Sequence, residues 1–191
     1  MPENETSLVR EAAKKYEVSQ EPDREWLDEL EELVLQAEEE LGIRLEVVDG
    51  MPIWEAHPRY RHQSEIDRIR ESIHVNPAKA GSCECIHVSD LTIRFPDGSI
   101  KTPDISVFCR KPAEQDKAVR VLPEAVIEVL SKRSKRKDLE FGVPFYLREG
   151  VKDVIVLNPD TGNVAHHRHD RVRESSSPVA VEFECGCVCT V

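Results

Sequence analysis

Between Trp26 and Leu41 apolar residues recur every three or four positions: Trp26, Leu27, Leu30, Leu33, Val34, Ala37 and Leu41. That spacing predicts a helix with one apolar stripe, capped by Asp23 and stopped at Gly42. Beyond Gly42 the pattern tightens. Ile43-Arg44-Leu45-Glu46-Val47-Val48 reads as a strand, Asp49-Gly50 as a turn, and Met51-Pro52-Ile53-Trp54 as the return strand of a hairpin. Taken alone, Glu46 reads as an outward-facing strand residue. Ser64 is placed to cap a helix with Ile66, Ile69 and Ile73 on one side, ended by Asn76-Pro77. Cys85 to Phe95 reads as one strand with Leu91, Ile93 and Phe95 on a single face, and Pro96-Asp97-Gly98 as a turn.

Two β-branched strands follow. Lys101-Thr102-Pro103-Asp104 leads into Ile105-Ser106-Val107-Phe108, and Pro123-Glu124 leads into Ala125-Val126-Ile127-Glu128-Val129-Leu130. Between them, residues 111–120 form a polar loop. A helix is expected from Asp138-Leu139, kinked or restarted at Pro144 and ended at Gly150. Asp153 to Leu157 is a further strand, Asn158 to Asn163 a turn, and Val164 to His169 runs away from it. Residues 179–191 alternate, with cysteines at Cys185, Cys187 and Cys189.

Each of the two central strands carries one acid. Asp104 sits at the mouth of the first and Glu128 interrupts the apolar run of the second. A carboxylate among apolar neighbours is costly unless it is paired, hydrogen-bonded or metal-bound. Two neighbouring strands can bring the two acids together, and a divalent cation between them removes their repulsion.

Composition narrows the picture. A formal net charge of −11 argues against general affinity for nucleic acid or acidic membrane. The charge is uneven, however: residues 21–40 hold ten acids and one base, whereas Lys132, Arg133, Lys135, Arg136 and Lys137 crowd into six positions just after Glu128. A polyanion would be met there. No apolar run reaches membrane-spanning length, and the acidic start is unlike a signal peptide, so a cytoplasmic protein is expected. In that setting the six cysteines read as reduced thiols. Cys83-x-Cys85 and Cys185-x-Cys187-x-Cys189 offer thiolates for zinc, set against a reading as small buried core residues. His57, His62 and His74 are scattered and form no metal signature, and His166, His167 and His169 read as an exposed turn.

The ordered set of short motifs resembles the Uma-two (Uma2) family of restriction-type endonucleases, a branch of the PD-(D/E)xK nucleases, over roughly residues 43–160. The matching pieces are Leu45-Glu46-Val47-Val48-Asp49-Gly50, His62, Lys101-x-Pro103-Asp104, Ile127-Glu128-Val129-Leu130-Ser131, Arg136-Lys137-Asp138-Leu139, Tyr146, Gly150-Val151 and Asn158-Pro159. The resemblance implies an α/β (α+β) fold with a central mixed sheet flanked by helices over 43–191, preceded by an acidic helical extension over 1–42. It implies Mg²⁺, or Mn²⁺ in its place, on Asp104 and Glu128. Hard oxygen ligands suit that ion, and the Val129 carbonyl is expected to complete the set. Glu46 is expected to hold a second metal or position the water, Lys137 to serve as the catalytic lysine, and Lys132, Arg133, Lys135 and Arg136 to grip DNA phosphates. A homodimer is expected. Gly142 stands where the family usually has a lysine, and Asn158 where it often has Asp. The first departure keeps a second reading in play: a catalytically lapsed nuclease fold acting as a binding or assembly module.

Overall fold

The computed structural model describes residues 24–42, 44–55, 59–79, 83–113, 117–131 and 141–191. The cap expected at Asp23, His57, and the basic run with Lys132, Arg133, Lys135, Arg136 and Lys137 lie outside the described residues.

Helix α1 (Arg24–Leu41) matches its predicted span and meets Gly42 at φ 60°. Leu27 and Val34 are buried, while Trp26 and Leu33 are exposed. Its acidic face is not purely solvated. Glu31 is only 2% exposed, where it accepts from Arg94 at 3.0 Å and from the Ala118 amide at 3.1 Å. The hairpin forms as expected from β1 (Arg44–Val48) and β2 (Met51–Glu55), with Asp49 and Gly50 both at positive φ. Gly98 ends its turn against α1: a Cβ there would lie 2.5 Å from Leu27 Cδ2.

Helix α2 (Tyr60–Glu71) starts four residues earlier than Ser64, so Ser64 does not cap it. The Ser64 hydroxyl instead donates back to the Arg61 carbonyl. The expected strand over 85–95 is broken in two. β4 (Ile86–Ser89) and β5 (Ile93–Arg94) join different sheets, because Asp90 adopts φ 53° between them. β3 (His74–Val75), β6 (Ile100–Lys101), β7 (Ile105–Phe108), β8 (Ala125–Val129), α3 (Val143–Arg148), β9 (Asp153–Asn158), β10 (Asn163–Arg168), β11 (Arg171–Ser176), β12 (Ala180–Glu182) and β13 (Cys187–Thr190) complete the order. Pro144 lies in the first turn of α3, where its missing N–H costs nothing, so it restarts a helix.

The central sheet has six strands in the order β11-β10-β9-β8-β7-β4. It is mixed: β8 and β9 run parallel, the other neighbours antiparallel. Alternation along these strands gives two buried faces. Ile105, Val107, Ile127, Val129, Ile155 and Leu157 pack with Ile66 and Ile69 of α2 and with the cysteine-bearing segments. Phe108, Val126, Val154 and Val156 pack with Phe145 and Tyr146 of α3. The smaller sheet β2-β1-β6-β5 carries α1 through Val34, Val47 and Ile100.

The cysteines depart from the reduced state expected of them. Cys83–Cys109 and Cys85–Cys187 are disulfides, leaving Cys185 and Cys189 free. The β4–β7 pairing that sets Ile86 opposite Phe108 brings the segment of Cys83 and Cys85 alongside Cys109, and the β12–β13 hairpin folds over them. Among the described residues no helix is long and apolar enough to cross a membrane.

Candidate active site

The antiparallel register Ile105↔Ile127 places Asp104, just before β7, beside Glu128 near the end of β8. Both are 7% exposed, so they are largely desolvated yet still reach the surface. Each is fixed by donors from the other's neighbourhood. The Val129 amide donates to Asp104 Oδ2 at 2.7 Å, and the Asp104 amide donates to Glu128 Oε2 at 3.3 Å. Tyr146 of α3, fully buried, donates its hydroxyl to Glu128 Oε1 at 2.6 Å. These donors satisfy the carboxylate oxygens in a largely desolvated place.

His62, on the first turns of α2, closes one side with Nε2 3.2 Å from Asp104 Oδ2. Burial opposes charge on this ring, but the hydrogen bond and charge of Asp104, aided by the Val129 backbone, raise the imidazole above its ordinary value of 6.5. Its Nδ1 is buried without a hydrogen-bond partner among the described residues.

Glu46 lies on the floor of the same region, pointing inward and not outward as its strand position alone suggested. It is 1% exposed, and so is Lys101. Lys101 Nζ donates to Glu46 Oε2 at 2.7 Å, and the Thr102 amide donates to Oε1 at 3.0 Å. Lys101 Nζ also sits 5.2 Å from the Tyr146 ring centroid and 5.9 Å from that of Phe145. Glu46 thus grips the segment that carries Asp104, and Lys101 connects it to the ring of Tyr146, which holds Glu128.

Of the predicted site residues, Glu46, Asp104, Glu128 and Val129 converge here; Lys137 and the phosphate-gripping bases lie outside the described residues. Lys101, His62 and Tyr146 were legible as motif members, but their partners were not. Pairing a strand lysine with Glu46 requires the antiparallel register Val47↔Ile100, which no local pattern announces. Gly142, in place of the family's usual lysine, has φ −65° and ψ −53° at the start of α3 and contributes no side chain.

The donor set suits a divalent ion. Asp104 and Glu128 offer hard oxygens at one surface-reaching point, and the orphaned nitrogen of His62 marks a further polar contact beside them.

The mixed sheet with flanking helices is a nuclease-like fold. The fold agrees with a solved structure described as a putative nuclease belonging to DUF820 from Anabaena variabilis: the TM-score is 0.55 at 22% identity, covering 73% of this chain and 81% of that one. The family model described as Uma2, putative restriction endonuclease, matches residues 27–184, and the chain belongs to that family. Among curated proteins no match was found.

Proposed function

We propose that the protein is an endonuclease that hydrolyses phosphodiester bonds in DNA with a divalent ion, Mg²⁺ or Mn²⁺, held by Asp104, Glu128 and the Val129 carbonyl. One observation carries this reading: Asp104 and Glu128 meet on adjacent strands, tied by the Val129 amide and the Asp104 amide. When bound, the ion supplies Lewis acidity toward the phosphate and a water of lowered pKa. The chain's own residues do the rest. Tyr146 fixes Glu128 in one rotamer, and His62 holds Asp104 and presents a proton at Nε2. Glu46 and Lys101 neutralise one another and act as positioning residues for the Lys101–Asp104 segment. Lys132, Arg133, Lys135 and Arg136 grip backbone phosphates without reading sequence, and Lys137 supplies charge stabilisation at the scissile phosphate.

The protein works in the cytoplasm as a homodimer in this reading. Trp54, 61% exposed on edge strand β2, is the apolar side chain a second copy would cover. Sedimentation analysis of wild type against a Trp54→Glu variant checks this, a monomeric wild type counting against it.

The lapsed-nuclease reading has one specific observation in its favour, the side-chain-free Gly142 at the start of α3. Both are tested together. Mg²⁺ and Mn²⁺ are titrated by calorimetry, with and without DNA, into wild type and an Asp104→Ala, Glu128→Ala double variant, and the same samples are assayed for plasmid nicking. Binding and nicking in wild type alone support the endonuclease. Binding without nicking supports the lapsed module. Equal binding by both proteins, or none even with DNA, removes the metal site at these acids.

A further inference from the structure

The second chemically active region lies on the opposite face of the central sheet and owes nothing to the carboxylates. Five cysteine sulfurs from three segments converge there. Cys83 and Cys85 precede β4, Cys109 follows β7, and Cys185 and Cys187 flank Gly186 at the β12–β13 turn. The left-handed φ of 93° at Gly186, with the Gly186 amide bonded to the Phe183 carbonyl at 3.0 Å, brings both flanking cysteines to one place.

The sulfurs form one contiguous group and not two separate bridges. Cys83 is bonded to Cys109 and Cys187 to Cys85, while the Cys83 and Cys187 sulfurs are themselves 3.5 Å apart. The free thiol of Cys185 completes a triplet with them: the sulfurs of Cys83, Cys185 and Cys187 all lie within 4.8 Å of one another. With Zn–S bonds of about 2.3 Å, the edge of a zinc–sulfur tetrahedron is about 3.8 Å. The observed spacings bracket that edge, so the triplet needs little rearrangement to share an ion.

We infer that the reduced protein binds one structural Zn²⁺ through Cys83, Cys185, Cys187 and a fourth thiolate from Cys85 or Cys109, and that the two disulfides are the oxidised form of the same centre. The chemistry balances with a dithiol reductant. Two dithiols deliver four electrons and four protons to the two disulfides, becoming two disulfides themselves and leaving four protein thiols. Four thiols of the cluster then bind Zn²⁺ as thiolates and release four protons. Pairing in disulfides leaves Cys185 without a covalent role; the zinc form uses it. Burial of Cys83 and Cys187 at 6% and 0% exposure shields the ion from solvent, as a closed structural site requires. A centre of this kind would tie three segments of the sheet's back face together in a reducing compartment, and the disulfides would do so in an oxidising one.

The test uses the full chain, reduced with a phosphine and freed of reductant and metal by desalting, then titrated with Co²⁺ as a spectroscopic stand-in and with Zn²⁺ in competition. The expected result is one ion per chain, with an intense sulfur-to-cobalt charge-transfer band and the visible bands of tetrahedral cobalt. Zinc then abolishes both, and a mercurial releases the zinc. Cys185→Ser, which leaves both disulfides able to form, is expected to lower zinc affinity roughly tenfold or more. Cys189→Ser and the Asp104→Ala, Glu128→Ala double variant are expected to keep the bands. Comparing Cys85→Ser with Cys109→Ser identifies the fourth ligand, and circular dichroism of each oxidised variant verifies its fold. No charge-transfer band in the reduced wild type overturns the inference, as does wild-type zinc affinity in every one of the Cys83, Cys185 and Cys187 serine variants. One cobalt bound per chain without a charge-transfer band, and lost in the carboxylate double variant, would place the cobalt at Asp104 and Glu128 and overturn it too.

Discussion

Where β7 begins and β8 ends, Asp104 and Glu128 are each held by a backbone amide and by a side chain from a helix, His62 or Tyr146. On the face that Ile66 and Ile69 of α2 cover, five sulfurs gather in one group. The oxygen site is organised by donors that do not change with redox state, so its geometry is built into the fold. The sulfur site has few fixed donors and takes its form from whichever partner, sulfur or metal, the surroundings allow. Within β8, alternation turns Glu128 away from Ile127 and Val129, whose face packs against the cysteine-bearing segments.

The largest expected effect lies on the oxygen face. Asp104→Ala should reduce metal-dependent plasmid nicking by roughly a thousandfold or more, about 4 kcal/mol in the barrier, while Cys189→Ala leaves it unaltered. Nicking that survives the first change, or fails with the second, would break the division between the faces. Next, Lys101→Met should cost about 3–5 kcal/mol in urea unfolding, since it leaves the buried Glu46 carboxylate without its cation. Adding Glu46→Gln should return most of that loss. A single variant as stable as wild type would show that this pair carries no folding load.

Tyr146→Phe should be milder, about 1.5–3 kcal/mol of stability for the hydrogen bond to Glu128, with weaker metal affinity by calorimetry. Unaltered metal affinity would mean that Glu128 needs no support from α3. The smallest effect is a pH dependence on the sulfur side. Asp153 is fully buried in β9 and accepts from His166, Arg168 and the Glu184 amide beside Cys185. Burial pushes its carboxyl up, but the His166 hydrogen bond, the Glu184 amide and Arg168 outweigh it and hold it below the ordinary 3.8. A carboxyl lowered on folding contributes stability that is present above its unfolded value and lost as pH falls through its folded value. The stability gap between wild type and Asp153→Asn should therefore be widest near neutrality and narrow as pH falls below 3.8, read from urea midpoints across pH. A gap independent of pH would assign the effect to packing.

What the sequence disclosed follows the same division. Asp104 and Glu128 stood out because an acid in a β-branched run violates a local pattern, and such violations are readable without a fold. Helix α1, the β1–β2 hairpin and the β9 strand were also local matters of period and turn chemistry. The rest depended on register. Glu46 was indistinguishable from a solvent-facing strand residue until β6 supplied Lys101 opposite its end of β1. Glu31 hid in an acidic helix face because its partner Arg94 is 63 positions away. The break at Asp90 rests on one left-handed residue inside a stretch whose composition favours a strand. The cysteines were read as reduced thiols in two separate stretches because no local rule says that the β12–β13 turn lies over the start of β4.

The connectivity of the oxygen site carries a consequence for the living cell. Its parts come from β1, α2, the approaches to β7, the end of β8, and α3, so Glu46 and Tyr146 must both be in place before Asp104 and Glu128 are held. A ribosome that has released only the first hundred residues has made Glu46 and His62 but neither central acid. In the proposed function, activity arises only after α3 (Val143–Arg148) has been made and has docked, so a chain that ends before it is inactive. Under the proposed function, this late assembly keeps an unfinished chain inactive without any inhibitor.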